Sequence, residues 1–531
     1  MTTRMRPASR LLSLALLALV ASGPAGPVAA GAAARRGGAA SSRRPNILFV
    51  LTDDLDLDLG GFDAMPRVKR LLAGKGTTFS SFFVPISLCC PSRSSILLGE
   101  FAHNHRVYSN DPPDGGFDLF QSFKHEDATI AIALHAVGYH TALMGKYLNG
   151  YPHGFPHDYV PPGWDEWDVP SNGDPYSGYH YELNEDGRLV DYGSAPENYL
   201  TDVLAAKAAS FVARSPEPFF LYVAPYVPHA PATPAPRHAS LFPGVLAPRT
   251  PSWNEADVSD KPLPYRKVPP LGAADVRYID GLYRRRLQSL QAVDEMVERL
   301  VAVLAAQGRL ADTYIVFTSD NGFHMGQHRL RPGKYTAFEE DIHVPLVVRG
   351  PGIPAGRVVD ALAESIDLTS TFAEWGGARL RTDPDGRSLV PLFGTAGAAG
   401  APPGWRQAVL VEQHAFTPPP ARREAGPALD PAPRRGPAGL LEPLDAGDRA
   451  GLGTHPLLTY VALRSKHLKY VEYTDGGREL YDLRRDPYEL RNLQKNADPA
   501  LIERLSAMLT ALRTCAGASC RAADAAAVPD L

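Results

Sequence analysis

The chain is poor in cysteine, has no apolar run long enough to cross a bilayer, and has no marked excess of either charge. Four cysteines in 531 residues exclude a scaffold built from disulfides. They fall in two pairs. Cys515 and Cys520 are expected to close a small loop, which an oxidising compartment permits, whereas the adjacent Cys89 and Cys90 could bond only with strain and need another explanation. With 54 Lys and Arg against 58 Asp and Glu, the net charge is -4 and the pI near 6.5, so nothing like the basic excess that a phosphate backbone demands is present. No nucleic acid partner is expected, although a locally basic cleft for an anionic substrate is allowed. No internal repeat is found.

The longest early apolar stretch, Leu11 to Val20, is about half of the roughly 20 residues that a membrane span needs. It follows Arg4, Arg6 and Arg10 and ends in the small residues Val28-Ala29-Ala30, the layout of a secretory signal peptide over 1–30. No cysteine lies near the expected cleavage site, which argues against a lipoprotein. The mature protein is expected to be secreted, with no membrane association after signal cleavage. A Gly/Ala/Ser/Arg leader occupies 31–44.

The remainder, 44% hydrophobic and 21% charged, is long enough for one large domain and a smaller one. ILFVLT before Asp53-Asp54, TALMGK, FFLYVAPY, YIVFTSDNG and VPLVVRG each run apolar and then turn polar or glycine-rich, the pattern of buried parallel strands. Between them lie helical patterns, notably Tyr278 to Gly308, where Gly308 is the expected stop. The expected fold is α/β: a large mixed, mostly parallel sheet flanked by helices over 45–415, with the binding crevice at the carboxyl ends of the strands. Residues 416–453, rich in Pro, Ala, Gly and Arg, read as a surface insertion without catalytic groups. Beyond it, 454–531 is expected to be a C-terminal subdomain with an antiparallel sheet, because TYVALRSKHLKYVEYTDGGRELYDL alternates strand formers around a DGG turn.

Asp53, Asp54, Asp320 and Asn321 follow two of these strands, and four oxygen donors suit a hard divalent cation. Asp and Asn also cap helices and fill turns, so neither pair is specific by itself. The run SLCCPSRSSILLGEFAHNH adds the specificity. Cys89-Cys90-Pro91-Ser92-Arg93, continued by Ser95-Ile96-Leu97-Leu98-Gly99, resembles the Cys-x-Pro-Ser-Arg signature of the sulfatase family, with Leu98 where threonine is usual. RPNILFVLTDDLD, TSDNGFHMGQH, RPGKYTAFEEDIHVPLVVRGPGI and ELYDLRRDPYELRNL resemble further blocks of that family, in its order. With GKYLNGY and HNH, the chain is most similar to the branch that removes 6-O-sulfate from glucosamine residues of heparan-type glycans.

The resemblance implies a mechanism that meets a chemical need. An unmodified hydroxyl or thiol nucleophile would leave a stable sulfated enzyme. Cys89 converted to formylglycine by the host's maturation machinery would, as its hydrate, offer one hydroxyl to attack sulfur and another to expel the sulfate. Asp53, Asp54, Asp320 and Asn321 would hold Ca2+ together with residue 89, and the cation would polarise the sulfate. Arg93 and Lys146 would position the hydrate, Lys334 would contact the sulfate, and His229 would protonate the leaving alcohol. Many sulfatases carry a histidine where this chain has Leu148, so that protonation rests on His229 alone. His103, His105 and His324 lie in matched blocks and are expected at most to line the pocket. The expected substrate is a sulfated carbohydrate such as N-acetylglucosamine-6-sulfate, or an aryl sulfate. A phosphonate or phosphate ester hydrolase on the same scaffold is an alternative, as is an inactive glycan-binding protein, against which the retained Cys89, Arg93 and ligand set argue.

Overall fold

The computed structural model describes residues 44–394, 401–414 and 458–531. The expected signal peptide, the leader except for its last residue, and the insertion over 416–453 lie outside the described residues.

Every residue of the strand Asn46–Thr52 is buried, because helices cover both faces of the sheet it belongs to. Alternation decides which side each residue joins: Ile47, Phe49 and Leu51 enter one core, Leu48 and Val50 the other. The first core is closed by the helices Cys89–Leu98, Ile130–Ala136 and Asp367–Gly376, through residues such as Ile96, Leu134 and Phe372. Leu204 and Phe211 of Leu200–Arg214, with Leu290, Val297 and Leu304 of the long helix Ala273–Ala306, close the second.

Asn46–Thr52 lies at the centre of a ten-stranded sheet, parallel to Phe219–Ala224 on one side and to Thr313–Ser319 on the other. His140–Gly145 and Glu166–Gly173 continue in parallel, and the antiparallel pair Tyr181–Glu185 and Arg188–Tyr192 ends that side. The opposite side corrects one expectation. Leu346–Arg349, within VPLVVRG, runs antiparallel to Thr313–Ser319, and Thr77–Phe79 and Arg357–Val359 complete the edge. An all-buried apolar run marks a covered strand and carries no sign of its direction. The sheet is therefore mixed and mostly parallel.

A separate four-stranded antiparallel sheet is formed by Ala408–Gln413, Tyr460–Ser465, Leu468–Tyr473 and Arg478–Asp482. The predicted hairpin is thus three strands of a meander, and the DGG turn joins the last two. Leu501, Leu505, Leu509 and Leu512 of Pro499–Arg513 pack on it. Cys515 and Cys520 are disulfide-bonded. Among the described residues, no helix is long and apolar enough to cross a membrane.

Candidate active site

The parallel strands end at one place. Asp53 and Asp54 follow Asn46–Thr52, Asp320 and Asn321 follow Thr313–Ser319, Lys146 follows His140–Gly145, and His229 lies five residues past Phe219–Ala224. In-register pairing of the two central strands, with Thr52 opposite Ser319, sets the acidic pairs side by side. Asp320 N–H then donates to Thr52 O at 3.1 Å, and Asp54 N–H to Asp320 Oδ1 at 3.1 Å. Asp54 adopts a left-handed backbone, φ 68°, which an aspartate tolerates better than a branched residue and which turns the chain sharply off the strand. Gly145 has φ 106°, and a Cβ there would fall 2.1 Å from Ala224 O, so only glycine lets the backbone deliver Lys146 this close to the neighbouring strand.

Cys89 begins the helix Cys89–Leu98, whose first turn therefore faces the strand ends. Cys89 and Cys90 are buried and reduced. Cys89 Sγ lies 3.3 Å from Asp53 Oδ1 and 3.9 Å from Asp54 Oδ1. Lys334 Nζ donates to Cys89 Sγ at 2.9 Å and to Asp54 Oδ1 at 2.8 Å, and Lys146 Nζ to Asp53 Oδ2 at 2.6 Å. One helical turn on from Cys89, Arg93 donates to Asp320 Oδ2 at 2.8 Å and to the Lys146 carbonyl at 2.9 Å. His229 Nδ1 donates to Ala230 O at 2.7 Å, and its Nε2 lies 3.6 Å from Asp54 Oδ2. All nine residues named from the sequence thus converge.

Two features of this cluster fit a bound cation. Asp54 Oδ2 and Asn321 Oδ1 are buried and accept no hydrogen bond among the described residues, a costly arrangement unless something else coordinates them. The side chains of Asp53, Asp54 and Asp320 are fully buried. Burial, reinforced by the Asp53 carboxylate alongside, pushes Asp320 above the usual carboxylate range, a repulsion that a dication would relieve. Asp53 is held below its ordinary value, because Lys146, then His229 and Arg93, outweigh the effect of burial. Ligand atoms of Asp53, Asp54, Cys89 and His229 come within 4.8 Å of one another, so His229 borders the same cradle. The donor chemistry of the two acidic pairs is all oxygen, as a hard cation prefers.

Three supporting residues escaped the sequence reading. Arg286, on the buried stripe of Ala273–Ala306 between Leu282 and Leu290, donates to Asp54 O and, at 3.2 Å, to Pro228 O, tying the carboxylate cluster to the His229 loop. An arginine on an apolar helical stripe was the available signal. Asp341 accepts from Thr336 N–H at 3.0 Å and from its hydroxyl at 2.6 Å, and bonds His324 Nδ1 at 2.9 Å, which shapes the loop bearing Lys334. From the C-terminal sheet, Lys469 Nζ reaches Ala337 O at 2.6 Å and Glu339 at 2.8 Å, anchoring the same loop. His103 and His105 do not reach the site: His103 bonds Glu412 and Cys515 O, and His105 bonds Ser95 Oγ at 2.9 Å. His324 acts through Asp341.

The fold and the site are those of an ester hydrolase, built at the strand ends of a mostly parallel sheet, with oxygen donors that fit a cation. Comparison with known proteins agrees. The sulfatase family model matches residues 45–378. The N-acetylglucosamine-6-sulfatase of Homo sapiens is 36% identical over 498 residues, covering 91% of this chain and 87% of that protein, and an arylsulfatase of Volvox carteri is 30% identical over 526 residues, covering 91% and 76%. Among solved structures, a protein in complex with its substrate D-glucosamine-2-N,6-O-disulfate aligns with a TM-score of 0.67 at 23% identity, over 88% of this chain and 97% of that one. The phosphonate monoester hydrolase of Agrobacterium radiobacter aligns with a TM-score of 0.63 at 23% identity, over 88% and 96%. The chain belongs to the sulfatase family. It is a sulfuric ester hydrolase, close to the N-acetylglucosamine-6-sulfatases.

Proposed function

We propose that this protein is a secreted, calcium-dependent sulfatase that removes sulfate from N-acetylglucosamine-6-sulfate units of sulfated carbohydrates, with Cys89 matured to formylglycine by the producing cell. The observation that carries the reading is the position of Cys89 Sγ, between Lys334 Nζ and the Asp53 and Asp54 carboxylates, where it stands in for the oxygen of the matured residue. The glucosamine preference draws on the similarity to N-acetylglucosamine-6-sulfatases. Secretion draws on the N-terminal signal layout.

Asp53, Asp54, Asp320 and Asn321 would hold the cation, which supplies charge to polarise sulfate oxygens, while matured residue 89 supplies the nucleophile. Arg93 Nη2, buried and donating no hydrogen bond among the described residues, is available to an oxygen on residue 89 or on the sulfate. Lys334 neutralises charge beside residue 89. Three carboxylates face Arg93, Lys146 and Lys334, so a dication leaves the site positive, as an anionic sulfate ester requires. His229 donates to Ala230 O through Nδ1, and its Nε2, 3.6 Å from Asp54 Oδ2, would carry a proton to the departing alcohol oxygen.

Mass spectrometry of the Cys89 peptide from protein made in its native host is the test, coupled to release of sulfate from N-acetylglucosamine-6-sulfate. A loss of about 18 Da at residue 89 with sulfate release is expected. An intact thiol without sulfate-ester turnover would end this reading. Parallel assays on 4-nitrophenyl sulfate and on a phosphonate monoester separate the arylsulfatase and phosphonate hydrolase alternatives.

A further inference from the structure

Tyr176 lies in the connection between Glu166–Gly173 and Tyr181–Glu185, in a loop with no motif to mark it. The loop is pinned where Leu200 N–H donates to Gly178 O at 2.9 Å, and Tyr199 packs so closely on Gly178 that a Cβ there would sit 2.8 Å from its ring. From this base the Tyr176 side chain reaches into the strand-end cluster and is only 5% exposed.

Its ring touches two of the segments that carry the chemistry. The ring centroid lies 4.8 Å from that of His229, with the planes tilted by 56°, and 4.9 Å from that of Tyr226, edge on. Lys146 Nζ lies 5.1 Å from the same centroid, within cation–π range. The Tyr176 hydroxyl accepts from Asn149 Nδ2 at 3.4 Å, three residues beyond Lys146. One aromatic ring therefore packs against the His229 imidazole and the Lys146 ammonium together. A ring packed against the imidazole restricts its rotation about the Nδ1 hydrogen bond. Leu148, beside Lys146 in the chain, has no proton to offer in place of a displaced His229.

We propose that Tyr176 is a positioning residue for sulfate-ester hydrolysis, its ring holding the His229 imidazole in line with the leaving oxygen. The proposal rests on His229 being the proton donor to the leaving group. In the reaction an oxygen of matured residue 89 would form a bond to sulfur, the S–O bond to the alcohol breaks, its electron pair goes to the alcohol oxygen, and the His229 Nε2 proton joins that oxygen. Tyr176 touches none of these atoms and acts through His229.

The test compares N-acetylglucosamine-6-sulfate, whose alkoxide must be protonated to leave, with 4-nitrophenyl sulfate, whose phenolate leaves unprotonated. Tyr176→Ala is expected to lower kcat/KM on the sugar sulfate by about 10²-fold, the scale of a lost proton donor, and to lower it far less on the aryl sulfate. Tyr176→Phe, which keeps the ring, is expected to restore the sugar-sulfate rate. In a His229→Ala background, Tyr176→Ala is expected to add no further loss. Thermal melting reports on folding, and Tyr176→Leu fills the same apolar space without a ring should the alanine variant unfold.

Equal losses on both substrates, additivity with His229→Ala, or failure of Tyr176→Phe to rescue would overturn the proposal while leaving His229 as the proton donor. Should His229→Ala itself lower both substrates equally, the assignment of His229 falls, and the role of Tyr176 with it.

Discussion

Lys334 Nζ donates to Cys89 Sγ at 2.9 Å, across 245 positions of the chain. Three contacts make that reach possible. His324 and Gly333 exchange backbone hydrogen bonds of 2.9 and 3.2 Å, Asp341 gathers Thr336 and His324, and Lys469 holds Ala337 O from the C-terminal sheet. Lysine at 334 is therefore a rigidly presented charge. Lys334→Ala is expected to lower kcat by about 10² to 10³-fold, the scale of one preorganised charge lost from a transition state. Steady-state kinetics on a sulfate ester check this, and wild-type turnover would remove Lys334 from the reaction.

Calcium should stabilise the folded protein by mass action, because the buried acceptors Asp54 Oδ2 and Asn321 Oδ1 find a partner only in the fold. At a free concentration 100 times Kd the gain is about 2.7 kcal/mol. Melting curves with calcium and with a chelator are expected to separate for the wild type and to draw together for Asn321→Ala. Coincident curves for the wild type would contradict a structural calcium site.

Arg406 joins three parts of the chain away from the site. Its fully buried guanidinium contacts Asp367 at 2.7 Å, Asp524 at 2.8 Å and Glu364 at 3.3 Å. Arg406→Ala leaves Asp367 and Glu364 buried without their cation, while Asp524 keeps Arg387, and the expected cost is about 3–5 kcal/mol. Equilibrium unfolding in urea measures it. A loss below about 1 kcal/mol, the scale of an exposed pair, would show that the carboxylates find other partners.

His103 makes stability depend on pH. Burial alone would lower its pKa, but the hydrogen bonds and charge of Glu412 raise it above the ordinary 6.5. A histidine raised in the fold binds its proton more tightly there than in the unfolded chain. Its contribution is complete below about pH 6.5 and fades as pH climbs through the raised value. Glu412, held below its ordinary 4.5 chiefly by His103 and His414 against the effect of burial, contributes above that pH and fades as pH falls through its depressed value. Between about pH 6 and about pH 9 the melting temperature of the wild type is expected to fall more than that of His103→Gln. Parallel slopes would mean that the pair adds no net stability.

Much of the fold is legible in the residues. Asn46–Thr52 and Phe219–Ala224 read as strands because a sheet covered on both faces tolerates apolar side chains at every position. The stripe through Leu282, Leu290, Val297 and Leu304 announces the long helix for the same reason of burial. The acidic pairs and the Cys89 to Arg93 run are also visible locally, since their chemistry is written in residue type and spacing. What stayed hidden depends on partners distant in the chain. VPLVVRG carries no mark of running antiparallel, and Ala408–Gln413 joins a sheet whose other strands begin at Tyr460. Tyr176 and Asp341 look like ordinary loop residues until the tertiary contacts of their neighbours are known.

By itself, then, the sequence determined which chemistry is available: a thiol at Cys89 within a sulfatase signature, oxygen donors at 53, 54, 320 and 321, and cations at 93, 146 and 334. Local pattern suffices there, because strand, helix and motif are each set by residues a few positions apart. Only the tertiary structure decided that these groups meet, that Arg286 and Lys469 brace the loops bearing them, and that Tyr176 lies against His229 and Lys146. Such contacts follow from the order and direction of strands in the sheet, which arise from packing summed over the whole chain.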